Sequence, residues 1–272
     1  MRPCLAIDLE TYSEVDLLSA GVYAYAEHES FEIMLLGWAF GDDDVGVVDL
    51  TSGQIPMFLL DALLDPAITK TAWNANFERT CLANALDCQM PPEQWQDTMI
   101  LAAELGLPRS LADAGNVLGL PEDQQKMKEG KDLIRYFAKP CKPTKANGQR
   151  TRNLPEHAPD KWQTYIEYNR RDVETERAIR KKLLNFGENP GEQKLWQIDQ
   201  DINDLGVRLD ERLALQAAAF DLRLRDELEQ EAKAVSGLAN PKSVQQIKNW
   251  ILEETGIVVE SLEKKLMASV LE

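Results

Sequence analysis

A few acidic side chains and one tyrosine carry most of the chemistry this chain offers. Asp8 and Glu10 stand one residue apart in "CLAIDLETYS", residues 4–13. On an extended strand residues i and i+2 face the same way, so both carboxylates leave one face while Ile7 and Leu9 leave the other. Two carboxylates that close repel unless something positive sits between them. A hard divalent cation such as Mg²⁺, which takes oxygen ligands, resolves the repulsion. Asp-x-Glu also arises by chance in ordinary sequences, so the pair needs company. Tyr168 and Asp172 in "YNRRD" are four apart and stack on one helix face, although a tyrosine packed beneath a surface aspartate has the same spacing. In "AWNANFER" a strand ends near Trp73 and a helix starts near Asn76. That brings Asn74, Phe77 and Glu78 to a strand end, where α/β folds place their sites. The plainer alternative makes Asn76 a helix cap, Glu78 a complement to the helix dipole and Phe77 a core residue.

The elements that must hold these groups follow from periodicity. Residues 4–10, 33–40 and 45–50 predict three strands in an antiparallel start, the last two separated by the turn "GDDD". The helix "IPMFLLDALL", the strand "ITKTAWN" and the helix "NFERTCLANAL" follow, so a fourth strand joins through a crossover and the class is mixed α/β. Short helical pieces run from 97 to 137, with Ser110 and Asp113 at capping-box spacing. A basic, Pro-rich loop leads to Pro159, which opens the long helix that carries Tyr168 and Asp172. "NFGENPG" at 185–191 divides a first domain, 1–186, from an all-helical region, 187–272. There Gly206 ends one helix, Asp210 caps the next, Ser243 and Gln246 form a capping box for a third, and "SLEKKLMASVLE" predicts a fourth.

Composition narrows the partners. The 272 residues suffice for one large domain or an ordinary domain plus a smaller one. No apolar run approaches the roughly 20 residues of a membrane span, and the start "MRPCLAIDLE" is not a secretory signal. Cys4, Cys81, Cys88 and Cys141 form no C-x-x-C pair and fit reduced thiols in a cytoplasm. With only His28 and His157, a Ser-His-Asp hydrolase or a His-rich zinc site has little to work with. The net charge of −16 opposes unspecific adhesion to nucleic acid. From Lys126 to Arg152, however, nine Lys or Arg face two acidic residues with Tyr136 and Phe137 among them, which fits a track for a single strand, the plainer alternative being a solvated loop.

Taken together and in order, "DLET" at 8–11, "NANFER" at 74–79 and "YNRRD" at 168–172 resemble the three motifs of the DEDD exonucleases in their tyrosine form. They resemble in particular the 3′–5′ proofreading domain of phage-type family A DNA polymerases, over roughly residues 1–186, with "DTM" at 97–99 similar to a further stretch of that domain. The resemblance implies an RNase H-like mixed sheet with flanking helices, followed by an all-helical, thumb-like region. It also implies two divalent ions, Mg²⁺ or Mn²⁺, spanned by Asp8, with Glu10 and Asp172 completing the site of the attacking water and Glu78 supporting the second ion. Tyr168 would orient the water, and Thr11, Asn74 and Phe77 would contact the terminal nucleotides of a single-stranded DNA 3′ end, releasing 5′-mononucleotides. The expected setting is DNA replication in a bacterial or phage-infected cytosol. Two departures stand out. The second motif of the family ends in Asp where this chain has Glu78, and the chain ends where a palm would begin, so templated synthesis is not expected of it alone and a separate polymerase subunit is an expected partner. The alternatives are an RNase D-like RNA exonuclease and a catalytically weakened module that binds a polymerase.

Overall fold

The computed structural model describes residues 4–121, 127, 130–263 and 267. The chain divides into two compact units, Met1–Leu205 and Gly206–Glu272. In the first, strands β1 (Cys4–Tyr12), β2 (Glu32–Phe40), β3 (Gly46–Asp49), β4 (Thr69–Ala72) and β5 (Trp95–Asp97) form one sheet in the order β3-β2-β1-β4-β5. β1, β2 and β3 pair antiparallel, whereas β4 and β5 run parallel to β1. This is the mixed, RNase H-like sheet that the resemblance implies.

Alternation along β1 sorts its side chains between two cores. Leu5, Ile7 and Leu9 join Leu59 and Leu63 of α2 (Met57–Leu64), Ala75 and Leu82 of α3 (Ala75–Ala85) and Trp196 of α8 (Pro190–Leu205). Ala6 packs with Val173, while Tyr12 joins Tyr165 and Tyr168 of the 25-residue α7 (Pro159–Leu183) and Phe137 of α6 (Gly130–Phe137). α7 thus crosses the face from which Asp8 and Glu10 project. The smaller helices α4 (Thr98–Glu104) and α5 (Leu111–Val117) pack on its C-terminal half through Ala102, Leu111, Ala114 and Ile179.

Several local expectations are revised. α1 (Leu17–Glu27) was not foreseen, because its sequence breaks at Gly21, whose φ of 80° is non-helical. β5 is a three-residue strand, too short for alternation to reveal. α3 starts one residue before Asn76: Asn74 is the cap, left-handed at φ 72°, and Asn76 instead accepts a hydrogen bond from Thr80. α8, placed from sequence in the second region, belongs to the first unit because Trp196 is buried in its core and Arg79 binds Asp204. Phe137 is wholly buried and Tyr136 is covered by Lys161, so Phe137 cannot stack on a nucleobase. The basic stretch lies partly outside the described residues, at 126, 128 and 129.

In the second unit, α9 (Glu211–Ser236) is capped by Asp210 and closed by Gly237 at φ 66°. α10 (Val244–Thr255) is capped by the Ser243 hydroxyl, while Gln246 accepts from the backbone N–H of Asn240 rather than from that of Ser243. Most of the fourth predicted helix lies outside the described residues.

Candidate active site

The carboxylates of Asp8, Glu10 and Asp172 offer oxygens that all lie within 4.8 Å of one another. They line a cleft of about 310 Å³ together with Thr11, Asn74, Phe77, Glu78 and Tyr168. Three segments far apart in sequence are brought together by three devices. β1 supplies Asp8 and Glu10, and its register slips between Glu10 and Thr11, the kind of bulge that re-aims side chains beside a site. α7 supplies Tyr168 and Asp172 one turn apart. The turn after β4 supplies Asn74 and the first turn of α3 supplies Phe77 and Glu78, and the left-handed Asn74 is held by a 3.0 Å hydrogen bond from its N–H to Asp97 Oδ1.

Helix α7 also holds the β1 carboxylates from behind. The Tyr165 hydroxyl donates to Glu10 Oε2 at 2.5 Å, and Asn169 Nδ2 donates to Asp8 Oδ2 at 2.7 Å and to the Asp8 carbonyl at 3.1 Å. Sequence reasoning passed over both residues. Their signal was the spacing 165, 169, 172, which puts them on one helix face with Asp172. Asp97 was singled out only as part of "DTM"; it accepts from the N–H groups of both Asn74 and Met99 and so joins the turn to the start of α4.

Burial sets the protonation of the surrounding groups. Glu78 is 4% exposed, and its carboxyl is raised well above the usual range, chiefly by burial and then by the carboxylate of Asp8. Its Oε2 is buried without a hydrogen-bond partner. Burial, and next the charge of Asp172, push the Tyr168 phenol far above its ordinary value, so it keeps its proton and presents a hydroxyl. Thr11 is engaged by a 2.8 Å hydrogen bond with the Tyr25 hydroxyl, and Phe77 leans against the Tyr25 ring at 6.2 Å. Lys139, ion-paired with Asp16 at 3.5 Å, also lines the cleft.

This donor set fits a hard cation. Two oxygens on one ion at about 2.1–2.5 Å each cannot be more than about 4–5 Å apart, and the three carboxylates satisfy that limit. The orphaned oxygen of Glu78 is what a buried carboxylate beside a positive charge would leave exposed to it. Glu78 is nevertheless not one of the three residues that meet within 4.8 Å.

Against known proteins, the chain is 49% identical over 269 residues to a DNA polymerase of Bacillus phage SP02, covering 98% of this chain. The chain thus matches one part of a phage DNA polymerase. It spans 41% of the length of that polymerase. No protein-family profile matches it. Solved structures similar to it include the catalytic core of RRP6 from Trypanosoma brucei, with a TM-score of 0.49 and 16% identity over 98% of this chain and 72% of that one. Brucella melitensis NrnC gives 0.48 at 16% identity over 75% of this chain and 85% of that one. Among the described residues no helix is long and apolar enough to cross a membrane.

Proposed function

We propose that this polymerase-type domain is a metal-dependent 3′–5′ exonuclease that removes 5′-mononucleotides from DNA 3′ ends as the proofreading module of a family A-like polymerase. The observation that carries the reading is the convergence of Asp8, Glu10 and Asp172 within 4.8 Å in a cleft of a phage-polymerase relative. Bound there, a pair of Mg²⁺ or Mn²⁺ ions would supply a nucleophile at neutral pH and a sink for charge on the phosphate.

The chain's own groups have separable tasks. Asp8, Glu10 and Asp172 would hold the ions, and Glu78 would add a fourth acidic group lining the same cleft. Tyr168, protonated, orients the attacking water through its hydroxyl rather than taking its proton. Asn74 and Phe77 meet the terminal nucleotide, Phe77 with its half-buried ring. Thr11 contributes chiefly through the wall it makes with Tyr25. Lys139 at the mouth and the exposed Lys142 and Lys145 of the following loop provide the phosphate contacts that an acidic chain otherwise lacks. The natural setting is a bacterial or phage-infected cytosol, and the partner is a palm-bearing polymerase region or subunit.

The test is release of mononucleotides from a labelled single strand with Mg²⁺, with Asp8→Ala as control and DNA and RNA strands compared. Mg²⁺-dependent release from DNA that disappears in the control is expected. Equal release by the control, or a preference for RNA, overturns the assignment.

A further inference from the structure

The hydroxyl of Tyr165 has no part in the catalytic set implied by the motifs, yet it makes a buried contact with one of its carboxylates. Tyr165 is wholly buried and Glu10 is 7% exposed. The ring is fixed on three sides: it stacks on Phe137 at 5.4 Å and on Tyr168 at 6.0 Å, and meets Trp162 edge-on at 5.7 Å. A phenylalanine would fill that aromatic cluster equally well, so packing does not explain the hydroxyl. The hydroxyl lies 2.5 Å from Glu10 Oε2. Asn169, one turn on, does the same for Asp8.

The geometry makes this a matched pair. Four residues along a helix advance about 6 Å, and two residues along a strand advance about 6.7 Å. Residues 165 and 169 of α7 therefore reach residues 10 and 8 of β1 in turn, with the chains running in opposite directions. Each carboxylate has one oxygen occupied by a neutral donor from behind. Hydrogen-bond partners of ligating groups fix ligand orientation, and their loss typically costs 10–100-fold in metal affinity or activity.

We propose that Tyr165 is a positioning residue that holds the Glu10 carboxylate through Oε2, preorganising it for a divalent cation. The proposal rests on the reading of the cleft as a cation-binding exonuclease site. The hydroxyl remains bonded to Glu10 when an ion binds.

The test compares the unaltered protein with Tyr165→Phe by calorimetric titration with Mn²⁺ and by rate as a function of metal concentration. Tyr165→Phe is expected to bind Mn²⁺ at least about tenfold more weakly, to need correspondingly more metal for half-maximal rate, and to recover most of its kcat at saturating metal. Equal affinity in the two folded proteins, or a loss of kcat that saturating metal does not restore, overturns the proposal. If the unaltered protein itself binds no Mn²⁺ in a way that Asp8→Ala abolishes, the exonuclease reading fails instead, and the two failures are distinguished. Should the variant not fold, the unaltered protein still decides. By NMR a slowly exchanging Tyr165 hydroxyl proton should persist at saturating Mg²⁺, and its disappearance on loading overturns the proposal.

Discussion

Gly37 lies directly under Asn169: a Cβ on Gly37 would stand 2.7 Å from Asn169 Oδ1 and 2.9 Å from a Val173 methyl. Gly37 is also the cross-strand partner of Asp8. A glycine inside a strand marks close approach of another element, and here the element is α7, whose Asn169 must reach Asp8. Gly37→Ala should therefore lift α7 locally and pull Asn169 from Asp8. The expected cost is about 1–3 kcal/mol of stability from overpacking, read by urea denaturation, together with weaker Mn²⁺ binding by calorimetry. Unchanged metal affinity in the folded variant would show that Asn169 does not help to set Asp8.

Gly130 plays a similar part for Tyr168. A Cβ there would come within 2.0 Å of the tyrosine ring, an approach no real contact allows. Because Tyr168 is assigned to the water and not to an ion, Gly130→Ala should lower kcat by about tenfold or more, displacement of about 1 Å being enough for such losses. Metal affinity should stay near that of the unaltered protein. A parallel fall in both would mean that the tyrosine and the carboxylates move as one unit.

These two glycines mark the limit of what the sequence conveyed. That Asp8 shares a face with Glu10, and Tyr168 with Asp172, was legible because strand and helix periodicities are local, and the antiparallel strands followed from the apolar runs of β1 to β3. The reach of Tyr165 to Glu10 was not, since it depends on which face of α7 meets β1, a tertiary fact. α1 escaped because Gly21 interrupts it, and β5 because three residues give no period. The aromatic residues in the basic stretch misled for the opposite reason: Phe137 sits among charges in sequence but on the buried side of α6 in space.

Glu78 departs from the Asp of the motif family, and its environment predicts two separable effects. Burial and the neighbouring carboxylates raise its carboxyl, so the folded state holds this proton more tightly than the unfolded one. Its contribution to stability is full below the usual carboxylate range and is lost as pH rises through the raised value. In the presence of chelator, Glu78→Gln should match the unaltered protein at acidic pH and exceed its Tm at alkaline pH. With Mg²⁺ its hydrolysis rate should fall. Glu78→Asp, by contrast, should raise the rate if the extra methylene holds the carboxylate away from the three that converge. No change of rate in Glu78→Asp would remove side-chain length as the reason for the departure.

Asp97 offers a second titration, and its charge also bears on Glu78. Burial raises its carboxyl from 3.8 to about 6, outweighing the hydrogen bonds it accepts from the N–H groups of Asn74 and Met99. The folded pKa exceeds the unfolded one, so the associated stability is full below pH 3.8 and fades as pH passes about 6. At about 1.4 kcal/mol per unit, the change is on the order of 3 kcal/mol. Asp97→Asn shares every other titrating group. Its stability relative to the unaltered protein should therefore rise by that order between about pH 4 and about pH 7 in paired urea denaturations. A flat difference would show that Asp97 titrates alike in both states.

The attachment of α8 within the first unit depends on Arg79, whose side chain is 4% exposed. It meets Asp204 at 2.6 Å and also donates to the Met90 carbonyl and to Gln200. Asp204 additionally accepts from the Tyr23 hydroxyl at 2.7 Å, so one carboxylate on α8 ties down both α1 and α3. Asp204→Ala leaves a buried guanidinium without its counter-charge. Breaking a fully buried pair costs about 3–5 kcal/mol, but Asp204 is 40% exposed and water can reach the guanidinium, so about 2 kcal/mol is expected. For a unit of this size that corresponds to a Tm lower by about 4–8 °C. Mn²⁺ affinity should be unaffected, because this network ties α8 to α1 and α3 whereas the three converging carboxylates stand on β1 and α7. Loss of metal binding in step with Tm would show instead that α8 helps to hold α3, and with it Glu78, in place.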